Sequence, residues 1–123
     1  MAEVDEPTQL LCQSDKADEM LVKTRDRDKL GSVHAFMINK RTGQTVYAIL
    51  TIGGFLGIGK AYYPLPFGLL SFEAATDSYV VTIDRRVLEG GPSWASNAPI
   101  FDQAYADRVA SYYEVDKEDL TLG

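Results

Sequence analysis

Cysteine is almost missing from this chain of 123 residues: Cys12 stands alone, so no disulfide can form within it. The fold must therefore stand on its core without a covalent staple, and a reducing, cytoplasmic compartment is expected. Histidine is equally scarce. His34 is the only one, and no second histidine or cysteine cluster is present to complete a metal site. Long apolar runs are lacking too, the longest falling far below the ~20 residues that span a bilayer. The start, Met1 to Pro7, has neither the positive charge nor the apolar stretch of a secretory signal, so a soluble protein is expected. Finally, there is no excess of positive charge. The net charge is −6, with eight acids against four bases in residues 1–28 and four acids against Lys117 in residues 114–123. The near-neutral middle offers no basic stripe for phosphate backbones, which argues against a nucleic-acid partner.

What is present fits one domain, large enough to bury roughly two-thirds of its unfolded surface. Residues 1–18 are polar, acidic and aperiodic and read as a flexible tail. Met20 to Lys23 reads as a first strand, followed by a charged turn from Arg25 to Lys29. Leu30 to Asn39 reads as a second strand whose apolar phase slips midway, as a β-bulge would make it do. Lys40 to Gly43 forms a hairpin turn with Gly43 free to take positive φ. Thr45 to Ile52 is apolar and β-branched, the composition of a buried central strand.

The segment from Gly53 to Lys60 has a spacing that imitates a phosphate-binding loop: Gly54, four residues, Gly59, Lys60. The chemistry does not follow. Ala61 stands where a magnesium-binding hydroxyl is needed, Pro64 and Pro66 forbid the helix whose amides cradle phosphate, and the loop carries Phe55, Leu56 and Ile58. Two readings of these three apolar side chains remain. They plug one end of a barrel, which is the favoured reading, or they stay exposed as a partner-binding patch.

Downstream, Tyr63 to Phe67 is extended, and its two prolines place it at an edge or a corner. Leu69, Leu70 and Phe72 continue after a bend at Gly68, a polar turn spans Glu73 to Ser78, and Tyr79 to Ile83 forms a last strand. Val87 opens one or two helical turns that Gly90, Gly91 and Pro92 stop. Pro99 to Tyr113 has the three-and-four spacing of an amphipathic helix, with Asn97 or Ser96 as candidate caps. Such a helix should lie across the sheet and cover it.

Four stretches together give a resemblance. They are Lys29-Leu30-Gly31-Ser32-Val33 after the charged turn, Asn39 to Gln44 leading into Val46 to Leu50, the Gly53 to Gly59 loop, and Tyr62-Tyr63-Pro64-Leu65-Pro66-Phe67. Over roughly residues 20 to 94 the chain resembles the PRC-barrel family, and most closely its short stand-alone bacterial members. The resemblance implies a mainly β fold: a small barrel of about five to six strands over residues 19–94, with a C-terminal amphipathic helix and acidic tail over 95–123. Two positions depart from the family pattern. Arg27 stands where a glycine is frequent, and Phe67 where tryptophan is usual.

The family implies docking without chemistry. Members of it stabilise an electron-transfer complex at a membrane surface or, in the ribosome maturation factor RimM, bind a ribosomal protein. Here neither lone His34 nor the pair Asp84 and Glu89 makes a reaction centre, so no catalytic residue, metal or cofactor is expected. The chain therefore reads as a non-catalytic adaptor that self-associates as a homo-oligomer, with Phe55, Leu56 and Ile58 as the candidate contact residues. The alternative is a small-molecule carrier with a barrel-end pocket lined by Tyr62, Tyr63, Phe67 and Tyr79. Truncating Phe55 and Leu56 to alanine separates plug from patch. A plug loses melting temperature at unchanged solution mass, and a patch loses mass at nearly unchanged melting temperature.

Overall fold

In the computed structural model, residues 14–52 and 60–120 are described. Six strands, β1 (Leu21–Lys23), β2 (Lys29–Ile38), β3 (Thr45–Ile52), β4 (Ala61–Pro66), β5 (Leu70–Glu73) and β6 (Ser78–Val81), form one curled sheet in the order β4-β3-β2-β1-β6-β5. All neighbours are antiparallel except β1 and β6, which run parallel. Two helices follow, α1 (Arg85–Glu89) and α2 (Gln103–Tyr113). The expected mainly β fold of about five to six strands with a C-terminal helix is thus present, the sheet curling into a half-barrel.

The phase slip in β2 is a bulge at His34. Val33 pairs with Leu50 and Ala35 with Ile49, so His34 is the extra residue. Without it, side-chain alternation from inward Val33 would send Phe36 outward. With it, Phe36 turns inward beside Ala48 and meets Phe67 at 6.1 Å and Tyr79 at 6.3 Å. Phe67 and Tyr79 close the triangle at 6.1 Å. These edge-on rings fill the concave face together with Val22, Val33, Leu50 and Leu65, all fully buried. Each such aliphatic side chain contributes about 1.5–3 kcal/mol by leaving water.

β3 is buried on both faces, which is why its sequence does not alternate. Ala48 and Leu50 face the concave side, while Tyr47 and Ile49 face outward yet are only 2 % exposed. Their cover is the C-terminal segment: Phe101 packs on Tyr47 at 5.6 Å, on Trp94 at 5.8 Å and on Tyr105 of α2 at 5.3 Å. Asp102 caps α2, its carboxylate accepting from the Tyr105 amide at 2.9 Å. This corrects the assignment of Asn97 or Ser96 and moves the helix start from Pro99 to Gln103, since the Asp102 amide donates to the Ile100 carbonyl at 2.9 Å in a tight turn around Phe101 that precedes the helix. Asp84 caps α1 in the same way.

Two glycines mark close approaches. A Cβ on Gly31 would lie 2.0 Å from the Thr51 carbonyl oxygen, inside the β2–β3 ladder. A Cβ on Gly91 would lie 2.8 Å from the Tyr112 ring edge and 2.8 Å from the Tyr113 hydroxyl. The Gly90-Gly91 pair, read from sequence as a helix stop, is also the notch that seats α2, and the Tyr112 hydroxyl secures it by donating to the Val87 carbonyl at 2.6 Å. At the other end, the tail expected over 1–18 differs in its last part: Ser14–Glu19 is a 3-10 turn with Ala17 in the core.

Gly31→Ala must push two paired strands apart, whereas Gly91→Ala displaces one ring edge and one hydroxyl at the ends of side chains. Urea unfolding is expected to show a loss of at least about 2 kcal/mol for the first and a smaller loss for the second. A Gly31→Ala protein as stable as the wild type would refute the close approach.

Candidate docking surface

The residues singled out from sequence fall into three groups. Phe55, Leu56 and Ile58 lie outside the described residues. Lys60, at the end of the phosphate-loop look-alike, leads directly into strand β4 and opens no helix. Of the four residues proposed for a barrel-end pocket, Phe67 and Tyr79 share the concave cluster, while Tyr62 stacks on Trp94 at 5.9 Å on the opposite side of the sheet, with His34 at 4.7 Å. Successive Tyr62 and Tyr63 point to opposite faces of β4, so the structure does not bring the four onto one space.

The charged candidates have structural partners. Asp84 serves as the cap of α1, and Glu89 accepts from Arg85 at 3.2 Å. Among the described residues no group of three or more histidine, cysteine, aspartate or glutamate side chains is placed to hold a metal ion. No described helix is long and apolar enough to cross a membrane. Arg27, the departure from the family glycine, sits at φ 73°, in the left-handed region that glycine favours. There its guanidinium pairs with Glu73 of β5, which also accepts from Lys23 at 3.4 Å and from Thr76 at 2.7 Å. The ion pair across the sheet offsets the backbone cost of a non-glycine residue in that turn.

The two sheet edges are unequal. On β4, Pro64 and Pro66 remove ladder donors, and Trp94 forms a bridge with Tyr62, the two amides donating to the two carbonyls at 2.9 and 3.0 Å. On β5 no proline intervenes. The Leu69 carbonyl accepts from the Thr82 amide at 3.1 Å, and the antiparallel alternation that follows turns the backbone groups of Leu70 and Phe72 away from β6. Phe72 is half-exposed at this edge, leaning on Tyr79 at 5.6 Å.

Residues 19–88 match the family model of the PRC-barrel domain, more than half of the chain. The chain belongs to the PRC-barrel family. No curated protein matches it significantly. In this PRC-barrel protein the matched region ends with α1, so Trp94, Phe101 and α2, which cover the outer face, lie beyond it.

Apolar side chains left at the surface include two that the sequence did not single out: Ile100, 81 % exposed, and Ile38, 49 % exposed. Met37, Ile38, Val46 and Tyr47 line a cleft of about 120 Å³ with Phe101, the neighbour of Ile100. The only hint in the sequence is that Ile100 falls outside the helical apolar stripe, between a proline and the capping aspartate. A second, polar groove of about 620 Å³ crosses the outer sheet face beside Lys29, His34, Thr51 and Lys60.

Two tyrosine hydroxyls, those of Tyr47 and Tyr113, are buried without a hydrogen-bond partner among the described residues. Burial, aided by Tyr105 and Asp107, pushes the Tyr47 hydroxyl up from its ordinary 10.0 to about 12. Burial raises Tyr113 as well, with Tyr112, Tyr105 and Tyr63 adding to it. Above about pH 10 an unfolded chain gives up these protons while the native chain holds them. Stability is therefore fully present below pH 10 and falls as pH rises towards 12, by about 1.4 kcal/mol per unit for each such tyrosine. Tyr47→Phe removes an unsatisfied hydroxyl. It is expected to be neutral or stabilising by up to about 1 kcal/mol at pH 7 and to flatten the alkaline loss. A clear destabilisation at pH 7 would show that the hydroxyl is bonded.

Proposed function

We propose that this PRC-barrel protein is a non-catalytic, cytoplasmic protein-protein docking module that associates with itself. The observation that carries this reading is the inequality of the sheet edges. One edge is closed by prolines and a bridge to Trp94, while the other presents a short strand from which the Leu70 carbonyl and the Phe72 amide and carbonyl point outward beside a half-exposed phenylalanine, the Leu70 amide being taken by the Phe67 carbonyl. Pairing of β5 with β5 of a second copy across a two-fold axis continues the sheet, satisfies those groups and removes Phe72 from water. A β5 of four residues gives few ladder bonds, so the association is expected to be reversible and concentration-dependent.

Size-exclusion chromatography with light scattering should give about twice the chain mass of 13.6 kDa at high protein concentration, falling towards one chain mass on dilution. Phe72→Lys, which adds a charge at the edge, should leave the protein folded and monomeric. A wild-type mass that stays at one chain under all conditions would rule out self-association.

A further inference from the structure

We infer that the β2–β3 hairpin end is a second docking site, and that its occupant is an acidic peptide segment carrying an aliphatic anchor. This rests on the docking reading, but it uses the turn between β2 and β3 rather than the backbone edge of β5 and needs no second copy of the chain. Three observations converge. First, the cleft of about 120 Å³ is lined by the apolar side chains of Met37, Val46 and Phe101, the size for one aliphatic side chain rather than for a free metabolite. Ile38 and Ile100 stand exposed near it, apolar surface that a partner would cover.

Second, the cleft adjoins a wider concavity lined by Ile38, Asn39, Lys40 and Arg41, with Ile38 and Asn39 common to both. Lys40 and Arg41 are exposed at the hairpin tip and form no ion pair among the described residues. In a chain of net charge −6, adjacent unpaired cations beside an apolar cleft select an acidic occupant there, while the rest of the surface repels it. The same net charge disfavours an anionic bilayer, and a recessed cleft suits an inserted side chain better than a flat surface does.

Third, the tip is held in shape before any partner arrives. The Asn39 carboxamide oxygen accepts from the Arg41 amide at 2.8 Å and from the Thr42 amide at 3.3 Å. The Gly43 amide donates to the Asn39 carbonyl at 2.7 Å, with Gly43 at φ 77°. The two cations are thus carried on a fixed turn, which lowers the ordering cost of binding.

The test is selection of a displayed library of random decapeptides on the full chain, followed by titration of the enriched peptides in solution. The expected result is enrichment of sequences that set aspartate or glutamate beside leucine, isoleucine or valine. Their affinity should weaken at least about tenfold in the Lys40→Glu, Arg41→Glu double variant and in Ile38→Ser. Circular dichroism should show both variants folded, since these side chains are exposed. Enrichment of basic or uncharged sequences, no enrichment, or binding unchanged in the double variant would each overturn the inference. So would stronger binding of the wild type to phosphatidylglycerol vesicles than to any peptide. Failure here with a concentration-dependent dimer intact would leave the β5 reading standing, and loss of the dimer with peptide binding intact would do the reverse.

Discussion

One extra residue in β2 sets the interior of this protein. Because side chains alternate strictly along a strand, the bulge at His34 exchanges the faces of everything that follows it. Val33 and Phe36 both point into the curl as a result, and the triangle of Phe36, Phe67 and Tyr79 exists only on that condition. The bulge also leaves the His34 imidazole outside, against Tyr62, which explains a lone histidine on a strand without any appeal to chemistry. A regular ladder continued from inward Val33 would have turned the Phe36 ring out into water.

The same economy governs the outer face. A six-stranded half-barrel buries one side of β3 by its own curvature, and the other side needs a separate cover. That cover comes from beyond the family match, through Trp94, Phe101 and α2, tied down at both ends by hydrogen bonds to β4 and to α1. Gly91 gives the Tyr112 and Tyr113 rings the room to pack, so the tyrosine-rich helix and the glycine pair are two halves of one contact.

Much of this was legible in the residues. Gly43 in its turn, the slip in β2, the unbroken apolar run of β3 and the two prolines of β4 each have a local cause, and each appears where that cause puts it. The α2 cap was not legible, because Ser96, Asn97 and Asp102 are all good capping types. What separates them is tertiary: Asp102 directly follows Phe101, the ring that packs on Tyr47 and so anchors the chain where the helix begins. The hairpin cleft was invisible for a related reason: Ile38 and Phe101 are far apart in sequence and come together only when the C-terminal segment folds over the sheet. Arg27 shows a local rule yielding to a distant partner, as a position suited to glycine is filled by the side chain that reaches Glu73.

The parallel pairing of β1 with β6 ties the two halves of the sheet together through a strand of only three residues. On one side lies a meander of β2, β3 and β4 built from neighbours in sequence, and on the other a single hairpin of β5 and β6. The seam between them joins Leu21 to Ser78, contacts that must wait until most of the chain has collapsed. The two pieces are held across that seam by three residue pairs, by the contact of Phe36 with Tyr79 and by the reach of Lys23 and Arg27 to Glu73, so the join between meander and hairpin is made as much by side chains as by backbone.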